Sequence, residues 1–183
     1  MTVRIVFETH SWSEDNEHGI ATGWLPGRLS GRGRTAAREL GRRRRPAGFA
    51  AVFASDLARA VETAQIAFAG SHLPILLDWR LRECDYGDLN GALAAAVRGQ
   101  AVARIESPFP GGESWERASG RVHGFLRDLP TRWAGTRVLV IGHQATRFGF
   151  ERYLCRRALI DVVSEEFRWR PGWEYVLDET LPC

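Results

Sequence analysis

The amino-acid sequence predicts an α/β fold, a three-layer sandwich in which helices cover both faces of a mostly parallel sheet. Short segments rich in apolar residues at 3–7, 49–54 and 136–143 are typical of strands that are buried on both faces. Segments with helical spacing separate these runs, and parallel strands require such crossover connections. The 183 residues are enough for a single domain over 1–183 with one hydrophobic core.

Caps and helix breakers set the limits of the predicted helices in the first half of the chain. Ser30 is expected to cap a helix that Pro46 ends. Ser55 or Asp56 is expected to cap the next helix, which stops at Gly70. The apolar stripe of this second helix consists of residues at helical spacing, namely Leu57, Val61, Ala64 and Phe68.

The second half of the chain continues the alternation of strands and helices. A short strand is expected within 73–79, and a small Ala-rich lid over 92–110. A helix follows within 111–130, where Gly120 and Gly124 either weaken it or allow a close approach to a neighbour. Residues 145–155 are expected to be helical, and 165–179 alternate around Pro171 and Gly172 as in a hairpin.

Composition and charge narrow the function classes. The net charge of +3 favours anionic small molecules but is too small to require nucleic acid, and the basic run from Arg42 to Arg45 is typical of a solvated helix C-terminus. The chain begins directly with an apolar strand and has no apolar run of about 18 residues, so we expect a cytoplasmic protein without membrane contact. The C-terminal hairpin would serve as a sheet edge or a homodimer interface through its aromatic residues, Phe167, Trp169, Trp173 and Tyr175.

The three cysteines do not indicate a metal site or a disulfide framework. Cys84, Cys155 and Cys183 are an odd number, and they lack metal-ligand spacing. We therefore expect no metal and no cofactor.

Two histidines stand where predicted strands end. His10 follows the first strand and His143 the strand at 136–143. In open α/β sheets, ligands bind beyond the carboxyl ends of the strands. Arg59 lies near the start of the helix after the second strand, and Glu83 lies in a Gly-containing loop.

These four side chains form a working set for phosphoryl transfer without a metal. A neutral imidazole attacks phosphorus, while a second imidazole and an arginine stabilise the equatorial oxygens. A carboxylic acid protonates the departing alkoxide. We therefore predict that His10, Arg59, Glu83 and His143 are catalytic.

Motifs along most of the chain resemble those of the histidine phosphatase superfamily, which has a phosphoglycerate mutase-like fold. These motifs are, in order, "THSWSEDN", "PGRLSGRGRTAA", "SDLARAVETA", "LRECDYGDLNG", "FPGGES" and "VLVIGHQAT". The resemblance implies that His10 is the nucleophile, that Arg59 binds phosphate and that Glu83 donates a proton. It also assigns Asn16 to the family's asparagine and Tyr86 to a substrate contact.

The chain departs from the family at its first motif, which normally reads Arg-His-Gly. Here Thr9 and Ser11 flank the histidine, so one expected phosphate-binding arginine is absent. If the strand stays extended, Glu8 points to the same side as His10. A carboxylate there would cost roughly 3 kcal/mol per unit of phosphate charge.

Three interpretations remain open. The chain is a phosphatase of a small phosphorylated metabolite, in which Glu8 turns away and Arg28, Arg82 or Arg147 replaces the lost arginine. Alternatively it is a dehydratase, lyase or isomerase acting on a small organic or sugar-like substrate, with His10 as a base oriented by Glu8. The third interpretation is a binding module that has lost catalysis. The predicted substrate-binding set comprises Glu8, Thr9, Ser11, Asn16, Arg28, Arg82, Tyr86 and Gln144.

Overall fold

The computed structural model describes residues 2–178 and confirms the predicted three-layer α/β architecture. The strands are β1 (Val3–Thr9), β2 (Ile20–Ala21), β3 (Ala51–Ala54), β4 (Ile75–Leu77), β5 (Ala92–Leu93), β6 (Arg137–Gly142) and β7 (Trp173–Leu177). The helices are α1 (Glu14–Glu17), α2 (Gly31–Arg44), α3 (Ala58–Ala67), α4 (Ala94–Gln100), α5 (Trp115–Asp128), α6 (Pro130–Trp133), α7 (Gln144–Tyr153) and α8 (Leu159–Ser164). Five strands form the main sheet in the order β4-β3-β6-β1-β7.

The strand order places the ends of β1 and β6 side by side. β1, β3, β4 and β6 are parallel, whereas β7 pairs antiparallel with β1 at the edge. Thr9 at the end of β1 is in register with Gly142 at the end of β6. Because the chain continues from both of these positions at the same edge, the segments that follow them meet in one crevice.

Alternating residues of β1 build the two faces of the core. Ile5 and Phe7 belong to the apolar cluster that includes residues of α5 and α7. Val6 belongs to the cluster that includes residues of α2 and α3 on the opposite face. Both faces of the strand are therefore covered, as its segment rich in apolar residues predicts.

The cap of α2 is confirmed, but that of α3 is not. The Ser30 hydroxyl accepts a hydrogen bond from the Gly33 N–H at the start of α2. Ser55 accepts instead from Leu57 N–H, and Asp56 is paired with Arg82, so α3 begins at Ala58 without a side-chain cap. Both predicted capping groups are engaged before the helix starts.

The close helix contact lies on α7 rather than at the two glycines of α5. α5 begins after Ser114, whose side chain accepts from the Arg117 N–H. A Cβ at Gly120 would meet no atom within 4 Å, whereas a Cβ at Gly149 would lie 2.5 Å from the Val122 side chain. Gly149 is therefore the position that lets α5 and α7 approach.

The prediction of a C-terminal hairpin is wrong for its first strand. Only β7 forms a strand, and it pairs with β1. Residues 165–170 are exposed and carry no regular structure. Pro171 lacks an N–H, and the free edge of β1 offers β7 a longer partner than the preceding segment does.

The segment predicted as a lid folds over a small second sheet. β5 pairs with β2, and α4 contributes the buried Val97 to a third apolar cluster that includes Phe109 and Trp115. Cys84 is buried and Cys155 is exposed, both as free thiols, while Cys183 lies outside the described residues. Within residues 2–178, no helix is long and apolar enough to cross a membrane.

Candidate active site

The two predicted imidazoles meet at the edge of the sheet. The backbone N–H of His10 donates to the Gly142 carbonyl at 2.9 Å. This hydrogen bond joins the segment after β1 to the end of β6. His143 follows Gly142 directly and stands at the N-terminus of α7. The centroids of the His10 and His143 rings are 4.9 Å apart, so both imidazoles face the same crevice.

His10 is held in one tautomer. Its Nδ1 lies 2.7 Å from the carbonyl oxygen of Ser11. Because a carbonyl oxygen only accepts, Nδ1 must carry the proton and Nε2 must keep its lone pair. Burial and the nearby Arg59 charge lower the pKa of His10 to about 3, so the ring is neutral near pH 7. This is the state that a nucleophilic imidazole requires.

Arg59 connects His10 to the loop that contains Gly23. Its Nε lies 3.4 Å from His10 Nε2, and its Nη2 donates to the Gly23 carbonyl at 2.9 Å. The side chain is 2% exposed, and burial lowers its pKa, but an arginine remains charged at neutral pH. The loop around Gly23 is therefore anchored directly to the cation of the site.

Glu83 caps α7 at its N-terminus. Its Oε1 accepts from the Cys84 and Ala145 N–H groups at 2.9 and 3.0 Å, and Oε2 accepts from the Gln144 N–H at 3.3 Å. Burial raises the pKa of Glu83, while these hydrogen bonds and Arg59 act in the opposite direction. The carboxyl group is thus fixed beside His143 with an upward-shifted pKa.

His143 is a buried, neutral imidazole. Its side chain is 1% exposed, and within residues 2–178 neither ring nitrogen has a hydrogen-bond partner. Burial lowers its pKa well below the usual value, and the charges of Arg59 and Arg121 contribute. Two unpaired ring nitrogens in a buried position are costly unless a ligand uses them.

Glu8 does not orient His10. Its side chain is turned to the C-terminus of α2, where Oε1 accepts from Arg44 Nε at 2.7 Å and lies 3.3 Å from an Arg43 nitrogen. Among the described residues the Glu8 carboxylate pairs with these two arginines, and it forms no hydrogen bond to His10, whose Nδ1 lies against the Ser11 carbonyl. The orientation of His10 by Glu8 that the alternative interpretation expected is therefore not observed.

The three candidate replacements for the missing arginine lie in different surroundings. Arg28 is exposed. Arg82 forms two hydrogen bonds to the Asp56 carboxylate. Arg147 is buried, and its nearest carboxylate is that of Glu165 at 3.9 Å. Neither Arg82 nor Arg147 is directed to the imidazoles.

The other predicted binding residues have mixed roles. Asn16 caps α1 together with Ser13, so its amide is engaged locally. Tyr86 is buried against Phe109, and this burial, with a contribution from the Glu83 charge, raises the pKa of its hydroxyl well above the usual value. Gln144 contributes its backbone N–H to Glu83, and Thr9 is half-buried at the end of β1.

Sequence analysis missed two residues that hold the site together. The Thr63 hydroxyl accepts from the Ser11 N–H at 3.0 Å and donates to the Arg59 carbonyl at 2.7 Å. The Arg121 side chain forms two hydrogen bonds to Glu113 and donates to the Glu83 carbonyl at 3.2 Å. The position of Thr63 one helical turn after Arg59 is a signal, but nothing in the sequence spacing indicates Arg121.

The indole of Trp24 lies on the same side of the crevice as Glu83 and Arg121. Its Nε1 donates to the Glu83 carbonyl at 2.6 Å, and the Arg82 guanidinium lies 4.5 Å from its ring centroid. Trp24 is therefore part of the wall of the site. Trp12 is 39% exposed, with the Arg32 guanidinium over its ring.

The arrangement suits attack on an electrophile that carries negative charge. It offers an unprotonated imidazole nitrogen beside one guanidinium, a second imidazole and a carboxyl group with a raised pKa. Among residues 2–178, no group of three or more His, Cys, Asp or Glu side chains is arranged to hold a metal ion. The chemistry available to these residues is nucleophilic attack and proton transfer.

Comparison with known proteins gives one consistent family. A family model for the histidine phosphatase superfamily (branch 1) matches residues 5–171. A 2,3-bisphosphoglycerate-dependent phosphoglycerate mutase from Methylobacterium radiotolerans is 36% identical over 154 residues, covering 76% of this chain and 73% of the mutase. The mutase from Mannheimia succiniciproducens is 38% identical over 111 residues, which cover 56% of this chain and 49% of the mutase. The chain thus spans about half the length of that relative.

Solved structures show the same fold. Bacillus stearothermophilus YhfR superposes with a TM-score of 0.83 at 22% identity, covering 95% of this chain and 90% of YhfR. A mycobacterial glucosyl-3-phosphoglycerate phosphatase in complex with VO3 superposes with a TM-score of 0.73 at 25% identity, covering 88% and 86% of the two chains. These structures support the fold that the order of elements predicts.

Proposed function

Since the chain belongs to the histidine phosphatase superfamily, we propose that it is a metal-independent phosphatase of a small phosphorylated metabolite. The observation that carries the proposal is the unprotonated Nε2 of His10, which faces Arg59 because Nδ1 is bonded to the Ser11 carbonyl. Relatives of this chain include phosphatases and mutases that act on phosphorylated small molecules. The predicted cytoplasmic location, the homodimer and the lack of nucleic-acid or membrane partners stay predictions.

In the first step, His10 Nε2 forms a bond to phosphorus as the bond from phosphorus to the ester oxygen breaks. The Glu83 carboxylic acid gives its proton to the leaving oxygen, which departs as an alcohol. Arg59 and His143 stabilise the charge on the equatorial oxygens. The hydrogen bond from Nδ1 to the Ser11 carbonyl supports the positive charge that develops on the His10 ring.

In the second step, water attacks the phosphohistidine. The Glu83 carboxylate accepts a proton from this water, the bond from nitrogen to phosphorus breaks, and orthophosphate leaves. His10 returns to its neutral tautomer and Glu83 to its protonated form. A phosphate dianion near Glu83 favours that protonated form before the next turnover.

One observation favours a second function. Within residues 2–178, Arg59 is the only arginine hydrogen-bonded to either imidazole, because Thr9 stands where the family has an arginine. One guanidinium compensates a dianion incompletely. The alternative is a dehydratase, lyase or isomerase in which His10 removes a proton from carbon and Glu83 acts as acid, without the role for Glu8 that the sequence suggested.

The deciding experiment measures transfer of the phosphoryl group to the enzyme in one arm and exchange of carbon-bound hydrogen with solvent in the other. Acid quench of the enzyme with labelled aryl and alkyl phosphates should reveal phosphohistidine, and His10→Asn should abolish both label and turnover. His72→Asn, a change at an exposed histidine, is the matched control and should behave as wild type. An unlabelled, inactive wild-type enzyme across these monoesters would contradict the proposal.

The alternative function has its own readout. Solvent deuterium should then enter a carbon position of the substrate or product, and orthophosphate should never appear. Because these readouts exclude each other for a given substrate, one reaction mixture analysed for both separates the two functions.

A further inference from the structure

A second cavity lies beside the sheet edge, outside the catalytic crevice. It is an open cavity of about 580 Å³ between α7, the start of β7 and the exposed segment 165–170, which we call the strap. Volumes of this size hold small metabolites. The described lining side chains are four arginines, three glutamates and Trp173, and His10, Glu83 and His143 are not among them.

The glutamates of this cavity already have partners. Glu151 accepts a hydrogen bond from the Tyr175 hydroxyl at 2.8 Å and lies 3.3 Å from an Arg157 nitrogen. Glu165 is also bound by Arg157. Glu166 pairs with Arg168 at 3.8 Å. Arg157 and Arg168 thus pair with the three glutamates, and the four arginines of the lining exceed its glutamates by one charge.

Arg147 is left with little compensation. Its side chain is 8% exposed, and its nearest carboxylate is that of Glu165 at 3.9 Å, which is beyond hydrogen-bond distance. Within the described chain, its Nε has no hydrogen-bond partner. A buried guanidinium without close partners is costly, so the site gains from an added anion.

Arg170 brings a second guanidinium to the same place. Its guanidinium carbon lies 5.1 Å from the Trp173 ring centroid, and that of Arg147 lies 5.9 Å from the same centroid. In the part of the chain that the structure describes, Arg170 forms no salt bridge. Two guanidinium groups with no carboxylate at hydrogen-bond distance among the described residues thus lie against one indole, one buried on α7 and one carried by the strap.

We propose that this cavity is a second anion-binding site, which takes the phosphate or carboxylate group of a small molecule between Arg147 and Arg170. Planar guanidinium groups bind both oxyanions through paired hydrogen bonds. The ligand satisfies Arg147 and ties the strap to α7. The site is separate from the catalytic crevice, where the anion contacts Arg59 and His10.

Arginine side-chain NMR distinguishes the two sites in one titration. Inorganic phosphate is titrated into the full-length protein while the Nε–H signals of Arg147 and Arg59 are followed. We expect the Arg147 signal to shift and to saturate, and Arg170→Met to weaken its apparent affinity about tenfold or more. Arg42→Met removes an exposed arginine on α2 and should leave that affinity unchanged.

A parallel titration with succinate identifies the group that the site prefers. Tighter binding of succinate than of phosphate at the Arg147 signal assigns the site to carboxylates, and the reverse order assigns it to phosphates. If neither anion moves the Arg147 signal, or if Arg170→Met and Arg42→Met weaken binding equally, the proposal is wrong. The Arg59 signal reports the catalytic crevice independently. The proposed function can therefore fail while the second anion site is confirmed, and the second site can fail while the proposed function is confirmed.

Arg170 is exposed, so its replacement leaves the core intact. Arg147→Met serves to assign the Nε–H signal, and the Arg170 variant tests the site even where the Arg147 variant folds poorly.

Discussion

The carbonyl oxygen of Ser11 lies 2.7 Å from Nδ1 of His10, so Nδ1 carries the ring proton and Nε2 is unprotonated. The Ser11 N–H is in turn held by the Thr63 hydroxyl, and that hydroxyl is bound to the Arg59 carbonyl. His10 and Arg59, the proposed nucleophile and phosphate-binding residue, are therefore oriented through one buried threonine. These hydrogen bonds, and not the side chain of Glu8, therefore account for the orientation of His10.

Thr63→Val should lower turnover while the fold persists. The change keeps the shape of the side chain but removes both hydrogen bonds, so Ser11 and the His10 tautomer are less constrained. We expect kcat on an alkyl phosphate to fall roughly tenfold with a smaller change in KM, and Thr63→Ser to restore most of the activity. Equal kcat in the wild type and Thr63→Val would show that Thr63 does not position His10.

Glu83→Gln should affect substrates according to their leaving group. A glutamine has no proton to give, so an alkyl phosphate should be hydrolysed about 10²- to 10⁴-fold more slowly. An aryl phosphate whose leaving group departs as a stable anion should lose much less. Steady-state kinetics on the two esters measure the ratio, and an equal loss on both would exclude Glu83 as the proton donor.

The pKa shift of Glu83 also sets the direction of the pH profile. The acid is active while protonated, and burial raises its pKa, so kcat for the alkyl ester should fall as pH rises through that raised pKa. His10, with a pKa of about 3, stays neutral over this range and should not contribute an acidic limb above pH 5 or so.

Protonation of His143 should destabilise the fold in acid. Its folded-state pKa is lowered well below the usual value near 6.5, so below about pH 6.5 the unfolded chain binds more protons. The contribution of His143 to stability is therefore full above that pH and is lost as pH falls toward the folded-state pKa. His143→Gln should weaken the fall in melting temperature between about pH 6.5 and pH 4, measured by calorimetry.

The exposed His72 supplies the control for that experiment. His72→Gln should leave the pH dependence of the melting temperature unchanged, because its side chain is solvated. A His143→Gln curve that runs parallel to the wild-type curve would contradict the buried, neutral assignment of His143.

Glu8→Gln should reduce stability rather than chemistry. Glu8 is buried and paired with Arg44 and Arg43, so loss of its charge should cost about 1–3 kcal/mol and lower the melting temperature by several degrees. Glu39→Gln, at an exposed glutamate 4.0 Å from Arg42, should change it little. Activity per folded molecule should be maintained in both variants, and a selective loss in Glu8→Gln would show that Glu8 acts on His10 after all.

Thr9→Arg should strengthen phosphatase activity. The variant restores the arginine that the family carries before its nucleophile, and a charge-assisted hydrogen bond is worth about 1.5–3 kcal/mol. We expect kcat/KM for an aryl phosphate to rise roughly 10- to 100-fold, whereas Thr35→Arg on exposed α2 should not change it. A loss of native turnover with no gain on phosphate esters would favour the dehydratase, lyase or isomerase alternative.

The fold, and the proximity of the two histidines, could be predicted from the order of residues along the chain. Apolar runs define β1, β3 and β6, and His10 and His143 stand directly after two of them, so the parallel order of strands brings them together. The local signal was also sufficient for the cap at Ser30. The strands and this cap depend on residues that are close together in the chain, so the pattern of side chains predicts them.

The direction of Glu8 and the group that orients His10 could not be predicted, because both depend on contacts between distant segments. The partner of Glu8 is Arg44, 36 residues along the chain, and that of the Ser11 N–H is Thr63, 52 residues along. The first arm of the predicted hairpin was lost for the same reason, since β7 pairs with the distant β1. A buried carboxylate or a strand edge takes the best partner that folding brings within reach, and local spacing does not specify that partner.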